Sequence, residues 1–178
     1  DMFGLDDTVY LFDLTNAYME STRLSKLRQF GRSKEKRSDC TVVVLGAVVN
    51  KDGFLVRTMV FSGNTADCAT MQHMMGSLNP PSSEEKKKIV VMDAGISIES
   101  NLEWLRQNGY DYITVRRGGS TDRYKVLGDR TVTVEDVRRQ SIEIRFAEIE
   151  DVDDTLLLVD SHAKTLKERS MHDKAAGR

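Results

Sequence analysis

Two aspartates each close an apolar run of strand-forming residues. Asp13 ends Val9-Tyr10-Leu11-Phe12, and Asp93 follows Ile89-Val90-Val91-Met92. Runs this apolar read as strands buried in a sheet covered on both faces. A carboxylate in such a place costs free energy unless it is paired, hydrogen-bonded or holding a cation. Two of them at the ends of neighbouring strands suggest a site for hard divalent cations, which take oxygen ligands. The chemistry that suits such a site is metal-assisted phosphodiester chemistry. It needs the carboxylates on rigid elements, because small misplacements cost rate. The two aspartates are far apart in sequence, so only the fold can bring them together. In an open α/β sheet the usual place is the crevice at the carboxyl ends of the strands.

The elements that would position them can be read in order. Residues 9–14 read as a first strand, followed by a polar, basic connection over 15–39. Residues 41–49 read as a second strand, and Asn50-Lys51-Asp52-Gly53 as the turn of a hairpin returning over 54–61. Gly63-Asn64-Thr65 offers caps for a helix. On it Met71, Met74, Met75 and Leu78 share one face and read as core. Pro80-Pro81 ends that helix. Residues 89–92 form the fourth strand. Ser97 can cap a second helix carrying Ile98, Leu102 and Leu105 on one side, and Gly109 stops it. Residues 111–115 form the fifth strand. A hairpin followed by βαβ units predicts an α/β fold with a mixed sheet and helices against it. Gly118-Gly119-Ser120 then marks a break. Residues 124–127, 130–134, 141–149 and 155–160 alternate as short strands, with Ile142, Ile144, Phe146 and Ile149 as their apolar positions. They predict a small antiparallel extension, closed by a helix over 162–174 that Ser161 would cap. The expected division is 1–117 and 118–178.

Composition bounds the function. At 178 residues, 39% hydrophobic and 30% charged, the chain fits a soluble globular protein with a sizeable core. No apolar run approaches the roughly 20 residues that span a bilayer, so no membrane role is expected. A net charge of −2 argues against a generic polyanion binder. The charge is uneven, however. Arg23, Lys26, Arg28, Arg32, Lys34, Lys36 and Arg37 share one connection with Glu35 as its only acid. Such a run is either a solvated surface or a contact for DNA phosphates. Arg116 and Arg117, at the end of the fifth strand, pose the same choice. Cys40 and Cys68 have no metal or disulfide spacing and read as reduced thiols of a cytosolic protein. His73, His162 and His172 are not spaced as metal ligands, and Asn64 and Asp67 read as cap and first turn of the first helix. The chain opens at Asp1 and closes on a polar stretch, as an excised piece of a longer protein would.

Four segments carry a resemblance. Phe12-Asp13-Leu14-Thr15-Asn16-Ala17-Tyr18-Met19-Glu20 resembles the first-aspartate motif of DDE transposases of bacterial insertion sequences. Gly31-Arg32-Ser33-Lys34-Glu35-Lys36-Arg37 is similar to the G-x-S-K-[DE]-x-R loop that follows it. Phe61-Ser62-Gly63-Asn64-Thr65-Ala66-Asp67 resembles the F-x-G-N-T-x-D signature. Residues 91–96, with Asn101-Leu102 and 109–113, resemble the second-aspartate segment. The matches stand in family order over residues 8–117. The resemblance implies a ribonuclease H-like core using Mg²⁺ or Mn²⁺. It implies cleavage of DNA at transposon ends and transfer of the freed 3′-hydroxyl to target DNA. Asp13 and Asp93 would be the first two acids of the triad, with Lys34, Lys36, Arg37, Arg116 and Arg117 on DNA. It also implies a bacterial cytoplasmic, nucleoid-associated protein and allows a homodimer of the full-length form. The family's third acid is a glutamate in a Y-x2-R-x3-E-x6-K pattern. Glu135, Glu143, Glu148, Glu150 and Glu168 all lack that pattern. The expectation is that it lies beyond Arg178, that residues 118–178 are the β-rich insertion preceding it, and that this piece alone is inactive.

Two other readings stay open. One is a non-enzymatic DNA-binding remnant of a transposase. The other is a phosphorelay receiver, because Ile89-Val90-Val91-Met92-Asp93 resembles the strand before a phosphoacceptor. A receiver wants an acidic pair after its first strand and a lysine after its fifth, whereas Asp13 stands singly and arginines follow the fifth.

Overall fold

In the computed structural model of the protein, the described residues are 8–34, 36–78, 87–116, 130–135, 139–151, 153–161 and 171. The chain divides into two compact units, Asp1–Arg117 and Gly118–Arg178. The first unit contains β1 (Val9–Met19), β2 (Thr41–Asn50), β3 (Leu55–Ser62), α1 (Asp67–Gly76), β4 (Lys88–Met92), α2 (Glu99–Gln107) and β5 (Tyr110–Thr114). Its sheet has the order β3-β2-β1-β4-β5. The pairs β1–β2 and β2–β3 are antiparallel, whereas β1–β4 and β4–β5 are parallel. This is the ribonuclease H-like arrangement. Two antiparallel pairings rule out the receiver fold, whose doubly wound sheet is parallel.

The strand β1 runs five residues past its apolar part. Val-rich β2 pairs with it from Tyr10↔Asn50 to Met19↔Thr41, so ladder hydrogen bonds carry the polar residues Thr15 and Asn16 as strand. Burial along β1 alternates. Tyr10, Phe12 and Leu14 are at most 7% exposed, while Leu11 and Asp13 are exposed. This corrects the expectation of a sheet covered on both faces. Among the described residues the helices cover one face only, where Met71, Met74, Met75 and Leu105 meet Phe12, Val44, Val48 and Val90 in the core. The Met stripe is thus core, as its spacing required. On the other face, Leu55, Val49, Leu11, Val91 and Ile113 form one row across all five strands, and Leu55, Leu11 and Ile113 are 63%, 42% and 59% exposed.

Both caps expected from the sequence differ. The N-cap positions are Ala66 and Ile98, neither with a side-chain cap. Asn64 instead accepts a hydrogen bond from Ser62 Oγ at 2.7 Å, and Ser97 Oγ donates to the Ala94 carbonyl at 3.2 Å. Gly109 ends α2 at φ 75°, a left-handed conformation that favours glycine. Both cysteines are free. Among the described residues no helix is long and apolar enough to cross a membrane.

The second unit contains β6 (Arg130–Glu135), β7 (Ser141–Glu150) and β8 (Thr155–Ser161). They form an antiparallel sheet in that order. Ile142, Ile144, Phe146 and Ile149 are half-buried. The strand expected over 124–127 and nearly all of the helix over 162–174 lie outside the described residues.

Two glycines set how the basic connection docks on the first unit. Gln29 makes a two-way bridge with Val42, and Gly63 N–H donates to the Leu27 carbonyl at 2.9 Å. A Cβ on Gly31 would overlap the Gly63 carbonyl, and one on Gly63 would overlap the Val42 carbonyl. Backbone cannot yield as a flexible side chain can. Gly63→Ala is therefore expected to lower the stability of the first unit by about 1–3 kcal/mol, with Gly76→Ala, whose added Cβ would meet nothing closer than 3.9 Å, as the control for a methyl added without close approach. Urea denaturation followed by tryptophan fluorescence measures both. Equal loss in the two would mean that close approach is not what Gly63 supplies.

Candidate metal centre

The strand β4 ends at Met92, which pairs with Phe12. The next residue along β1 is Asp13, and the residue that follows the end of β4 is Asp93, so both stand where strands about 4.8 Å apart begin to part. Both carboxylates are exposed, so their placement carries no burial cost, contrary to the expectation from the apolar runs. Asp13 shares the open face with Leu11 and Thr15, since side chains alternate along a strand. Asp93 Oδ2 accepts from Gly95 N–H at 3.3 Å, and its carbonyl accepts from Ile96 N–H at 3.0 Å. A tight turn thus starts at Asp93 and bends the chain away from β1.

That turn leaves a split in the sheet. The carbonyl of Thr8 accepts from Ile89 N–H, so even-numbered residues of β1 aim their backbone groups at β4. Leu14 is the first of these beyond the end of β4. Its N–H donates to Asp13 Oδ1 at 2.8 Å, and its carbonyl accepts from Lys34 Nζ at 2.9 Å. Asn16, the next even-numbered residue, donates through Nδ2 to the Arg32 carbonyl at 2.8 Å and accepts from Lys34 N–H at 3.2 Å. Ser33, between them, is 6% exposed.

The other expected residues fall differently. Lys36 is exposed at φ 58°. Arg37 is held away from the split. Its Nε donates to Asp39 at 3.0 Å, it lies 3.6 Å from Glu20, and it stacks over the Tyr18 ring at 5.1 Å. The hydrogen bond with Asp39 pushes the Arg37 guanidinium further up and holds the Asp39 carboxyl far below the usual range. Arg116 is exposed two residues past β5, and Arg117 lies outside the described residues. His73 is exposed on α1, and His162 and His172 also lie outside the described residues.

Two asparagines were missed as positioning residues. Asn16 is one. Asn101 is the other, 1% exposed on α2. Its Nδ2 donates to the carbonyls of Cys68 and Ile96 at 2.8 Å each, and its Oδ1 accepts from Gln72 at 3.1 Å. One amide therefore ties both helices to the turn that starts at Asp93. A helix-interior asparagine with no apolar periodicity was the available signal.

Among the described residues no three metal-ligating side chains cluster. The two adjacent oxygen donors fit a hard divalent cation as part of its ligand set, since Mg²⁺ and Mn²⁺ keep several waters and take few carboxylates.

The family model of the transposase DDE domain matches residues 4–170. The chain belongs to that family. No curated protein matches it. A cryo-EM structure of a piggyBac transposase synaptic complex with hairpin DNA is similar at 10% identity and a TM-score of 0.43, over 86% of this chain and 33% of that one. The chain thus spans about a third of that transposase's length. DDE transposase domains are generally dependent on divalent metal, which agrees with the donor set at Asp13 and Asp93.

Loss of Asn101 should loosen the second-aspartate turn. Asn101→Ala removes the bonds to the Cys68 and Ile96 carbonyls and the one from Gln72, each worth about 0.5–1.5 kcal/mol net, while the Ile96 carbonyl keeps its bond from Ile98 N–H. A drop in stability of that size in chemical denaturation, with faster amide exchange over 93–98, is the expected result. Unchanged exchange there would remove Asn101 from the site.

Proposed function

We propose that the chain is the catalytic core of a DDE transposase, with Asp13 and Asp93 as the first two metal-binding acids. The observation that carries this is the register: Phe12 pairs with Met92, and the next residue on each strand is an aspartate. Bound Mg²⁺ or Mn²⁺ would supply activation of the attacking oxygen and charge stabilisation of the leaving one. The residues of the chain hold the geometry for it. The β1 ladder fixes Asp13, and the Asn101-braced turn fixes Asp93. The substrates are the DNA at transposon ends and the target DNA, cleaved and joined through a freed 3′-hydroxyl. DNA phosphates are met by Lys34, Lys36, Arg37, Arg116 and Arg117.

The third acid lies outside these 178 residues on this reading. Glu143, Glu148 and Glu150 stand on β7 and Glu135 ends β6, whereas the family's glutamate is helical; Glu168 lies outside the described residues and lacks the family's pattern. Residues 118–178 are the β-rich insertion before it, and the full-length protein works in the bacterial cytoplasm at the nucleoid, with a homodimer allowed. A catalytically silent, DNA-binding remnant is the reading to which a failed metal test would lead.

Titration with Mn²⁺, followed by calorimetry or by paramagnetic broadening of nearby resonances, decides the matter. Asp13→Asn and Asp93→Asn should each weaken binding at least tenfold, since each removes a charged ligand. Binding that is the same in wild type and both variants would overturn the metal assignment. The 178-residue chain itself should not nick supercoiled DNA in Mg²⁺ or Mn²⁺, and metal-dependent nicking abolished by Asp13→Asn would show that a further acid lies within it.

A further inference from the structure

We propose that Lys34 is a resident cation of the Asp13–Asp93 site, seated in the split between β1 and β4 to meet the phosphate brought there, and that Asn16 is the residue that positions it. The inference rests on the metal-site reading above and goes further. It separates one lysine from the basic connection and gives it a place in the site.

The argument is one of backbone accounting. A strand residue directs its N–H and C=O to the same side, and alternate residues face alternate neighbours. Leu14 faces the space from which β4 has turned away, and backbone groups need partners. Asp13 takes its N–H and Lys34 takes its carbonyl. The carboxylate and the ammonium are therefore bound to the two polar groups of a single peptide residue, on one side of one strand. Neither can drift far from the other while both bonds hold.

Lysine side chains lose about 2 kcal/mol of rotamer freedom when fixed, so a fixed one needs a brace. Asn16 supplies it. Its amide takes the Arg32 carbonyl and the Lys34 N–H, imitating the pair of bonds that a neighbouring strand would make. Ser33 is buried between them, and the Gly31–Gly63 contact anchors the loop upstream. Arg37, three residues on, is committed to Asp39, Glu20 and Tyr18. The loop thus delivers one cation to the split and keeps another out of it. An ammonium suits this place as a compact point charge that can leave a carbonyl for a phosphate oxygen.

The test uses the whole 178-residue chain and Mn²⁺ alone as the probe. A fixed positive charge beside the acids opposes a dication. Lys34→Gln should tighten Mn²⁺ binding about threefold or more at 0.1 M salt, as expected for unit charges several ångströms apart in partly screened surroundings. Asn16→Ala should shift affinity the same way, and the double variant should go no further than Lys34→Gln, as for residues acting through one another. Lys26→Gln removes a like charge from the same connection and should leave Mn²⁺ affinity unchanged. For the phosphate contact, the slope of log K against log salt for a short DNA duplex should fall by about 0.9 in Lys34→Gln. If Asp13→Asn and Asp93→Asn abolish Mn²⁺ binding while Lys34→Gln leaves it unchanged, the metal site stands and this inference falls. If the two aspartate variants change nothing, both fall. An unaltered salt slope would overturn the phosphate contact. Should Asn16→Ala fail to fold by circular dichroism, Lys34→Gln against Lys26→Gln still decides the place of Lys34.

Discussion

The site depends on two parallel strands that stop at different points. The strands β1 and β4 run together through the pair Phe12↔Met92 and then part, because Asp93 begins a turn while β1 continues to Met19 against β2. A sheet tolerates such a split only if the abandoned backbone groups find new partners. Here they find a carboxylate and an ammonium. The residues proposed for the chemistry are thus the ones that complete the broken ladder, since Asp13 and Lys34, from opposite ends of a basic connection, both bond to Leu14.

The motifs that looked like family signatures have separate physical tasks. Glycines 31 and 63 allow two backbones to approach more closely than any Cβ permits. Asn16, in the first-aspartate motif, clamps the loop that carries the lysine. Asn101, in the second-aspartate segment, ties the turn at Asp93, through the Ile96 carbonyl, to Cys68 and Gln72 of α1. None of these need touch substrate to matter. Each holds a peptide segment in place by satisfying or admitting another, and each would cost stability before it cost chemistry.

How far the sequence could be read follows from which forces are local. The order of strands and helices along the chain, the Met71-Met74-Met75 core face and the glycine stop at Gly109 are set by periodicity and by backbone stereochemistry, and they were legible. The second half of β1 was not, because Thr15 and Asn16 are strand only by virtue of their partner β2. The two N-caps were misjudged for a related reason. Asn64 and Ser97 have the right side chains, but Ser62 and the Ala94 carbonyl compete for them. The two acids were singled out through an argument from burial that the alternation of β1 does not support. What brings them together is register, which two separate apolar runs imply but do not state. Lys34 and Arg37 read alike in sequence; only tertiary partners distinguish them.

The exposure of the acids bears on what the site can take. A buried carboxylate pair would have its charge set by desolvation and would admit only a small ligand. Asp13 and Asp93 instead lie on the face of the sheet that no element of the first unit covers among the described residues, beside the half-open row Leu11, Val91 and Ile113. A polymer backbone cannot enter a cavity, but it can lie along an open face. On that face water competes for every charge, so a single pair of carboxylates holds a cation weakly. On the proposed reading, further ligands and partial exclusion of water would come from what covers the site, with DNA phosphates themselves among the oxygen donors. On the proposed reading, an open sheet with Asp13, Asp93 and Lys34 at one split is half of a centre, whose geometry is set in advance and whose affinity the nucleic acid would complete.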